Sequence, residues 1–208
     1  MTSQYYITAS VSIGNGLVCK NNQPVFRLAE PDPGLFLAAA YRHFGWQYPK
    51  FHKMDNLSRL GWLGAELLLD EEFQQKAYPP GSVGVVLANA NASLDTDIRY
   101  YDTVKQIPSP ALFVYTLPNI VTGEICIRHK LKGENAFFIQ EDFDAAFIEQ
   151  YVRELVNNTI VEACICGWVE LLNKQYKTVL FLIEKEAAGT AIPLTVDALT
   201  KTYQSENG

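Results

Sequence analysis

Strand-like and helix-like segments alternate along this chain, and its last two segments are both strand-like. Residues 5–13 and 83–88 are rich in β-branched and other apolar residues, and residues 57–69 place leucines at helical spacing. Residues 144–156 form the clearest amphipathic helix, followed by strand-like residues 161–169 and 178–184 with a short turn between them. This alternation predicts an α/β fold, in which the last strand pairs antiparallel with a mostly parallel sheet.

The segments between these elements predict connections. Pro24, Pro31 and Pro33 indicate a connection rather than a helix or strand. Residues 93–106 are polar and carry several aspartates, which predicts a surface loop with about one turn of helix. Pro118 suits a first helical turn, so we expect a buried helix after it.

The size of the chain predicts one domain. It has 208 residues, 48% of them hydrophobic, which is enough for one sizeable core. We expect a folded domain over residues 1–186 and a loosely held polar tail over residues 187–208.

Charge and hydropathy exclude some classes of partner. The net charge is −6, which argues against a nucleic acid or an anionic membrane as the main partner. The first residues lack the basic start of a signal peptide, and no run approaches the roughly 18–20 apolar residues of a membrane-spanning helix. We therefore expect a cytoplasmic protein.

The four cysteines fit reduced thiols in a core. They are Cys19, Cys126, Cys164 and Cys166. Cys164 and Cys166 are two residues apart in an apolar segment, so on a strand they would share a face. A zinc site would need tighter pairs or nearby histidines, so we predict no metal site and no cofactor.

Residues 108–133 resemble a signature segment of the β-ketoacyl-acyl-carrier-protein synthases. In that family, an Asn at a helix start leads through a small residue to an Ile-Arg pair and a Leu-Lys-Gly turn. The matching residues are Asn119, Gly123, Ile127-Arg128 and Leu131-Lys132-Gly133. Two further segments agree in the correct order: residues 51–60, with Met54-Asp55 and Ser58-Arg59-Leu60, and residues 161–170, with Gly167 and Glu170.

The resemblance covers residue 5 to about residue 185 and implies the amino-terminal half of a thiolase-like fold. Such a half has three layers, α-β-α, around a five-stranded, mostly parallel mixed sheet with an antiparallel last strand. Full-length members pack two such halves face to face. Here the helix after Asp142 carries a polar side, which favours a chain adapted to half length. That side comprises Glu149, Gln150, Arg153 and Glu154.

The resemblance also implies that the catalytic cysteine is missing. It places the family's Ala-Cys dipeptide at Glu141-Asp142, and no cysteine lies between Cys126 and Cys164. At this former nucleophile position Asp142 suits a helix cap better than an acyl carrier. We therefore predict no catalytic residue in this chain. We expect the signature residues to maintain the fold: Asn119, Gly123, Arg128, Gly133, Gly167 and Glu170.

Three functions remain open. The first is a catalytically inactive, chain-length-factor-like partner in fatty-acid or polyketide synthesis. The second is a residual 3-oxoacyl-acyl-carrier-protein synthase-type acyltransferase or malonyl decarboxylase that uses a partner's residues. The third is a relic that only binds an acyl chain or a protein. We expect a homodimer, or a heterodimer with an active ketosynthase, through the strand edge at residues 136–139, and an acyl carrier protein is a further candidate partner.

Overall fold

One mixed sheet organises the chain. The computed structural model describes residues 4–69, 73, 78–186 and 191–205. Its strands are β1 (Tyr6–Gly14), β2 (Leu17–Lys20), β3 (Gln23–Arg27), β4 (Val83–Asn89), β5 (Asn135–Ile139), β6 (Ala163–Leu172), β7 (Gln175–Glu184) and β8 (Ile192–Pro193). They lie in the order β3-β2-β1-β7-β6-β4-β5, and β8 pairs with β1.

The strand directions confirm the predicted mixed sheet. β4 is parallel to both β5 and β6, whereas β7 is antiparallel to β6 and to β1. The five expected strands are therefore present, and the last of them is antiparallel as predicted.

The sheet has eight strands and not five, because the chain adds strands beside β1. β2 and β3 form a hairpin whose turn residues Asn21 and Asn22 have positive φ values of 51° and 61°, as a tight hairpin turn requires. The interpretation of Pro24 as part of a connection is wrong. Pro24 lies in edge strand β3, where a missing N–H is tolerated.

Seven α-helices accompany the sheet within the described residues. They are α1 (Pro33–His43), α2 (Asn56–Leu68), α3 (Leu94–Val104), α4 (Pro110–Phe113), α5 (Ile120–His129), α6 (Ala145–Asn157) and α7 (Val196–Gln204). Short 3-10 helices cover Pro49–Lys53, Pro80–Ser82 and Val114–Thr116. The predicted helices in residues 57–69, after Pro118 and in residues 144–156 correspond to α2, α5 and α6.

Two of these helices were predicted as irregular segments. At α1, Pro33 occupies the first turn and the Asp32 side chain accepts the N–H of Leu35 at 2.9 Å, so the proline starts a helix instead of breaking one. Residues 93–106, predicted as a surface loop with about one turn of helix, contain α3, which has three turns.

The helices form one layer on each face of the sheet, which confirms the three-layer architecture. α1, α2 and α5 cover one face, and α6 and α7 cover the other. β6 shows the division clearly, because Ala163 and Ile165 face the first layer. Cys164 and Cys166 face the second, as their spacing predicted.

The segment after residue 190 belongs to the folded core. Leu194 and Leu199 are buried against the α6 layer, and α7 begins at a Thr195 cap. The expectation of a loosely held polar tail is therefore wrong for residues 191–205. Residues 187–190 and 206–208 of that expected tail lie outside the described residues.

Within the described ranges, no single helix is long and apolar enough to cross a membrane. Pro110–Thr116 and Ile120–His129 reach that length and composition only together, and they meet at an angle of 99°.

Candidate functional site

The loop between β5 and α6, residues 140–144, lies at the carboxyl ends of the parallel strands. The backbone N–H of Gln140 donates to the carbonyl of Asn89, which joins the ends of β5 and β4. The loop and the first turn of α6 line a shallow depression of about 560 Å³, completed by Val196 and Thr200 of α7. In open α/β sheets, ligands commonly bind at this end of the strands.

Asp142 is exposed in this loop and does not cap the helix. The cap is Asp144, whose carboxylate accepts the N–H of Phe147 at 2.9 Å. The expectation that Asp142 caps the helix is thus wrong, because α6 begins at Ala145, three residues beyond it. Asp142 therefore projects a solvated carboxylate at the rim of the depression.

No thiol lies in this loop. Cys164 and Cys166 are fully buried in β6, and burial raises the pKa of Cys164 to about 12 and that of Cys166 well above its ordinary value. Cys126 lies on α5, where burial also raises its pKa. Since the thiolate is the nucleophilic form, all three side chains are poor nucleophiles.

Glu170 ties the end of β6 to the loop after β4. Its carboxylate accepts the backbone N–H groups of Ala90 at 2.7 Å and Asn91 at 3.2 Å. Glu170 and Asp142 both lie near Tyr203 of α7; burial, followed by these two charges, raises the pKa of the Tyr203 hydroxyl. Glu170 and the loop that contains Asp142 therefore lie at the same end of the sheet, the carboxyl ends of its parallel strands.

Two signature glycines are required by close backbone contacts. A β-carbon on Gly133 would lie 2.3 Å from the carbonyl oxygen of Val83, and one on Gly167 would lie 2.1 Å from that of Val179. Gly167 also has a φ of +145°, which side-chain-bearing residues rarely adopt. A β-carbon on Gly123 would meet nothing within 4 Å.

The other signature residues lie on or beside α5. Asn119 precedes α5, is exposed, and makes no side-chain capping bond. Arg128 binds Glu66 of α2 with two nitrogens, at 2.6 and 3.0 Å, and His129 Nε2 lies 3.2 Å from the same carboxylate. Arg128 also stacks over the rings of Tyr48 and Trp62. Arg128 thus joins α5 to α2. The side chain of Asn119 makes no capping bond to α5.

Replacing Arg128 with alanine should lower the free energy of unfolding by about 2 kcal/mol, because it leaves the buried Glu66 without its bidentate partner. Arg128→Lys keeps the positive charge but cannot bind both oxygens of Glu66 with two nitrogens, so we expect a smaller loss in the free energy of unfolding. Urea unfolding at pH 7 measures both, and an unchanged midpoint for Arg128→Ala would contradict this role.

The same pair predicts a pH dependence. Burial alone would raise the pKa of Glu66, but hydrogen bonds and charges from His129 and Arg128 outweigh burial and lower that pKa. Stability from Glu66 is therefore present above its ordinary value of 4.5 and is lost as the pH falls through the lower folded value. In Arg128→Ala, this part of the acid dependence should shrink.

Residues 94–117 form a second candidate site, an exposed apolar surface. α3 presents its apolar side chains to solvent at helical spacing, and the connection to α4 adds the most exposed of them, Ile107, at 84%. The rings of Tyr100 and Phe113 lie 5.4 Å apart and join α3 to α4. The exposed apolar side chains are Leu94, Ile98, Tyr101, Val104, Ile107, Phe113, Val114 and Leu117. A concentration of this kind marks an interaction site.

Buried polar groups hold this 94–117 surface in place. The hydroxyl of Thr96 donates to the carboxylate of Asp55 at 2.7 Å, and Asp55 also caps α2 through the N–H of Ser58. Burial raises the pKa of Asp55, while the hydrogen bonds from Ser58 and Thr96 act in the opposite direction. The hydroxyl of Ser93 donates to the Thr116 carbonyl at 2.9 Å. The 94–117 surface is therefore attached to α2 through Thr96, and its two ends are joined through Ser93 and Thr116.

Sequence reasoning missed α7 and the contribution of α3 to the 94–117 surface. The spacing of Leu94, Ile98 and Tyr101 was a usable signal, but the intervening aspartates obscured it. For α7, the signal was Thr195 as a cap followed by Leu199 at helical spacing.

The described residues contain no group of three or more His, Cys, Asp or Glu side chains that could hold a metal ion.

The fold is that of the ketosynthases and their chain length factors. Neither known family models nor curated proteins match the sequence. Among solved structures, the ishigamide ketosynthase/chain length factor matches with a TM-score of 0.65 and 17% identity, over 92% of this chain and 64% of that chain.

Two further structures show the same fold. The ketosynthase ApeO in complex with its chain length factor ApeC, from Xenorhabdus doucetiae, matches with a TM-score of 0.54 and 13% identity, over 89% of this chain and 80% of that one. A β-ketoacyl synthase from Burkholderia phymatum matches with a TM-score of 0.59 and 12% identity, over 88% and 59%. The chain thus spans under two thirds of the ishigamide and Burkholderia chains. The ketosynthase-like fold that the sequence resemblance implied is confirmed.

Proposed function

We propose that this chain is a non-catalytic, chain-length-factor-like partner of a ketosynthase in fatty-acid or polyketide synthesis. The observation that carries the proposal is the loop after β5. Where the resemblance places the cysteine of a ketosynthase, the chain has the exposed carboxylate of Asp142. The fold is retained around a position that has no thiol.

Asp142 is a poor substitute for that cysteine. An acyl group on a carboxylate would form a mixed anhydride, which is much less stable than a thioester. A carboxylate in solvent also lacks the desolvation and charge partners that activate enzymatic nucleophiles. Loading of an acyl chain at this position is therefore not expected.

The 94–117 surface supports association with another protein. An amphipathic helix normally turns its apolar side towards the core, but α3 buries only Thr96 among its residues. Ile107 and Phe113 extend the apolar surface beyond the helix. Such a surface is favourable only when a partner covers it.

Two structural neighbours indicate the kind of partner. One is a ketosynthase in complex with its chain length factor, and another is a type II acyl-carrier protein in complex with its ketosynthase, which matches with a TM-score of 0.59 and 14% identity over 88% of this chain and 63% of that one. We therefore propose an active ketosynthase as the main partner of this chain and an acyl carrier protein as a further one.

The edge of β5 offers a second contact. β5 pairs with β4 and with no other strand in the described part of the chain, and Ile139 at its end is 53% exposed. Open strand edges favour association. A homodimer or heterodimer through this edge remains a prediction of the proposal.

Co-purification tests the proposal. The chain would be co-expressed with each ketosynthase from its own organism, and the mass of the complex would be measured by light scattering after gel filtration. We expect a complex with at least one ketosynthase. Recovery of this chain only by itself, in every pairing, would overturn the proposal.

The alternative, a residual acyltransferase or malonyl decarboxylase, receives no specific support from the loop. Gln140, the first residue of this loop, is half-buried, and its backbone N–H donates to the carbonyl of Asn89 and so joins β5 to β4. Release of carbon dioxide from malonyl-acyl carrier protein would revive this alternative.

A further inference from the structure

The second face of the sheet is covered by α6 and by the carboxyl-terminal segment 191–205. In this segment, Leu194 and Leu199 are 1% and 0% exposed, as part of the same apolar cluster as Val152 of α6 and Phe181 of β7. α7 has only nine residues, too few for a stable helix on its own. Its helical form therefore depends on packing against this face.

Polar contacts hold the start of the segment. β8 pairs with β1 through Ile192 and Pro193, and the N–H of Leu194 donates to the carbonyl of Tyr5 at 2.8 Å. On the other side, the guanidinium of Arg153 on α6 donates to the Leu194 carbonyl at 2.6 Å. The segment is therefore attached both to the sheet edge and to α6 before α7 begins.

Aromatic contacts hold the end of the segment over the loop at residues 140–144. Tyr203 stacks on Phe143 of that loop, with ring centroids 4.5 Å apart, and its edge faces Trp168 of β6 at 6.4 Å. The ammonium of Lys177 lies 3.7 Å from the centre of the Tyr203 ring and donates to its carbonyl at 2.9 Å. α7 thus contacts the loop that contains Asp142.

We propose that residues 191–205 act as an intramolecular strap. β8 and α7 close the α6 face of the sheet, fix the loop at residues 140–144 through Tyr203, and exclude other proteins from that face. The exclusion of other proteins from the α6 face rests on the proposed function, because a ketosynthase would then bind at the 94–117 surface and the β5 edge.

Hydrogen exchange of the full chain tests the strap. In Leu199→Ala and Tyr203→Leu, we expect the amides of residues 140–156 to exchange faster by about tenfold or more, while those of α2 and α5 keep their rates. Lys201→Ala is the matched control, because the Lys201 side chain is 74% exposed on α7 and its ion pair with the exposed Asp197 contributes little to stability, so it should leave these rates unchanged.

Two results would overturn the strap. One is unchanged exchange in residues 140–156 for both variants. The other is an equal acceleration throughout the chain, which would show that the two side chains support only global stability. Tyr203→Leu keeps an apolar side chain in α7, so it supplies the result if Leu199→Ala does not fold.

A binding measurement separates the strap from the proposed function. If a ketosynthase binds elsewhere, Tyr203→Leu should change its dissociation constant by less than about twofold. A loss of more than about tenfold would show that the partner uses the α7 face and would contradict the exclusion. The exchange experiment uses this chain alone, so it stands even if no ketosynthase binds.

Discussion

Replacing Gly167 with alanine is expected to cost about 4 kcal/mol or more, enough to unfold many domains of this size. The new methyl carbon would lie 2.1 Å from the carbonyl oxygen of Val179 and 3.1 Å from the α-carbon of Leu180. Both are backbone atoms of β7, hydrogen-bonded to β6, so neither can move away without separating two central strands. The φ of +145° adds strain even if space were made.

Gly123→Ala is the matched control for this substitution. Gly123 is also a signature glycine, but a β-carbon there meets nothing within 4 Å, and it lies inside α5, where alanine favours the helix by about 1 kcal/mol. Urea unfolding followed by circular dichroism should show a stable Gly123→Ala and a largely unfolded Gly167→Ala. Equal stability of the two variants would contradict the steric argument.

Substituting serine for both Ile107 and Phe113 is expected to weaken ketosynthase binding by about 1,000-fold, because central apolar side chains of an interface commonly contribute about 2 kcal/mol each. Ile107 and Phe113 are 84% and 59% exposed, and within the chain Phe113 contacts the ring of Tyr100, so the double substitution should lower the chain's own free energy of unfolding by only about 1 kcal/mol. Isothermal titration calorimetry with the purified ketosynthase measures the change.

Ile160→Ser serves as the control for the interface. Ile160 is 51% exposed, but it lies between α6 and β6, at the opposite end of the parallel strands from α3. We expect wild-type affinity for this variant. If Ile160→Ser weakened binding as much as the double variant does, the 94–117 surface would not be the docking surface.

Local patterns were sufficient to predict the central elements of the fold. β4 is buried at every position, so its apolar segment was recognisable, and α6 alternates buried and solvated sides. The antiparallel β7 followed from the short turn at Asn173, which adopts a positive φ of 56°. Each of these elements carries its pattern within its own residues.

Elements whose environment depends on distant residues carry weak local signals and were not predicted. α3 exposes its apolar side, so its composition is typical of a loop until the apolar surface is seen as a whole. α7 is short and mostly polar, and its helical form is stabilised by the packing of Leu199 against α6 and the sheet. The choice of Asp144 over Asp142 as the cap depends on where β5 ends and α6 begins.

The position of Asp142 after β5 was predicted, whereas its assignment to the former nucleophile position stays a prediction. The resemblance placed Asp142 in the loop after β5, and the structure adds the ring of Tyr203, which stacks on Phe143 of that loop. Tyr203 lies in the segment expected to be a loose tail, so its contact with this loop had no signal in the sequence.

Intact-protein mass spectrometry of the complex tests the central claim most directly. The complex of this chain with a ketosynthase would be incubated with an acyl-acyl carrier protein, and the mass of each chain would then be measured. We expect the added acyl mass on the ketosynthase alone, with this chain unmodified. An acyl group on this chain would contradict the claim that it is a non-catalytic partner.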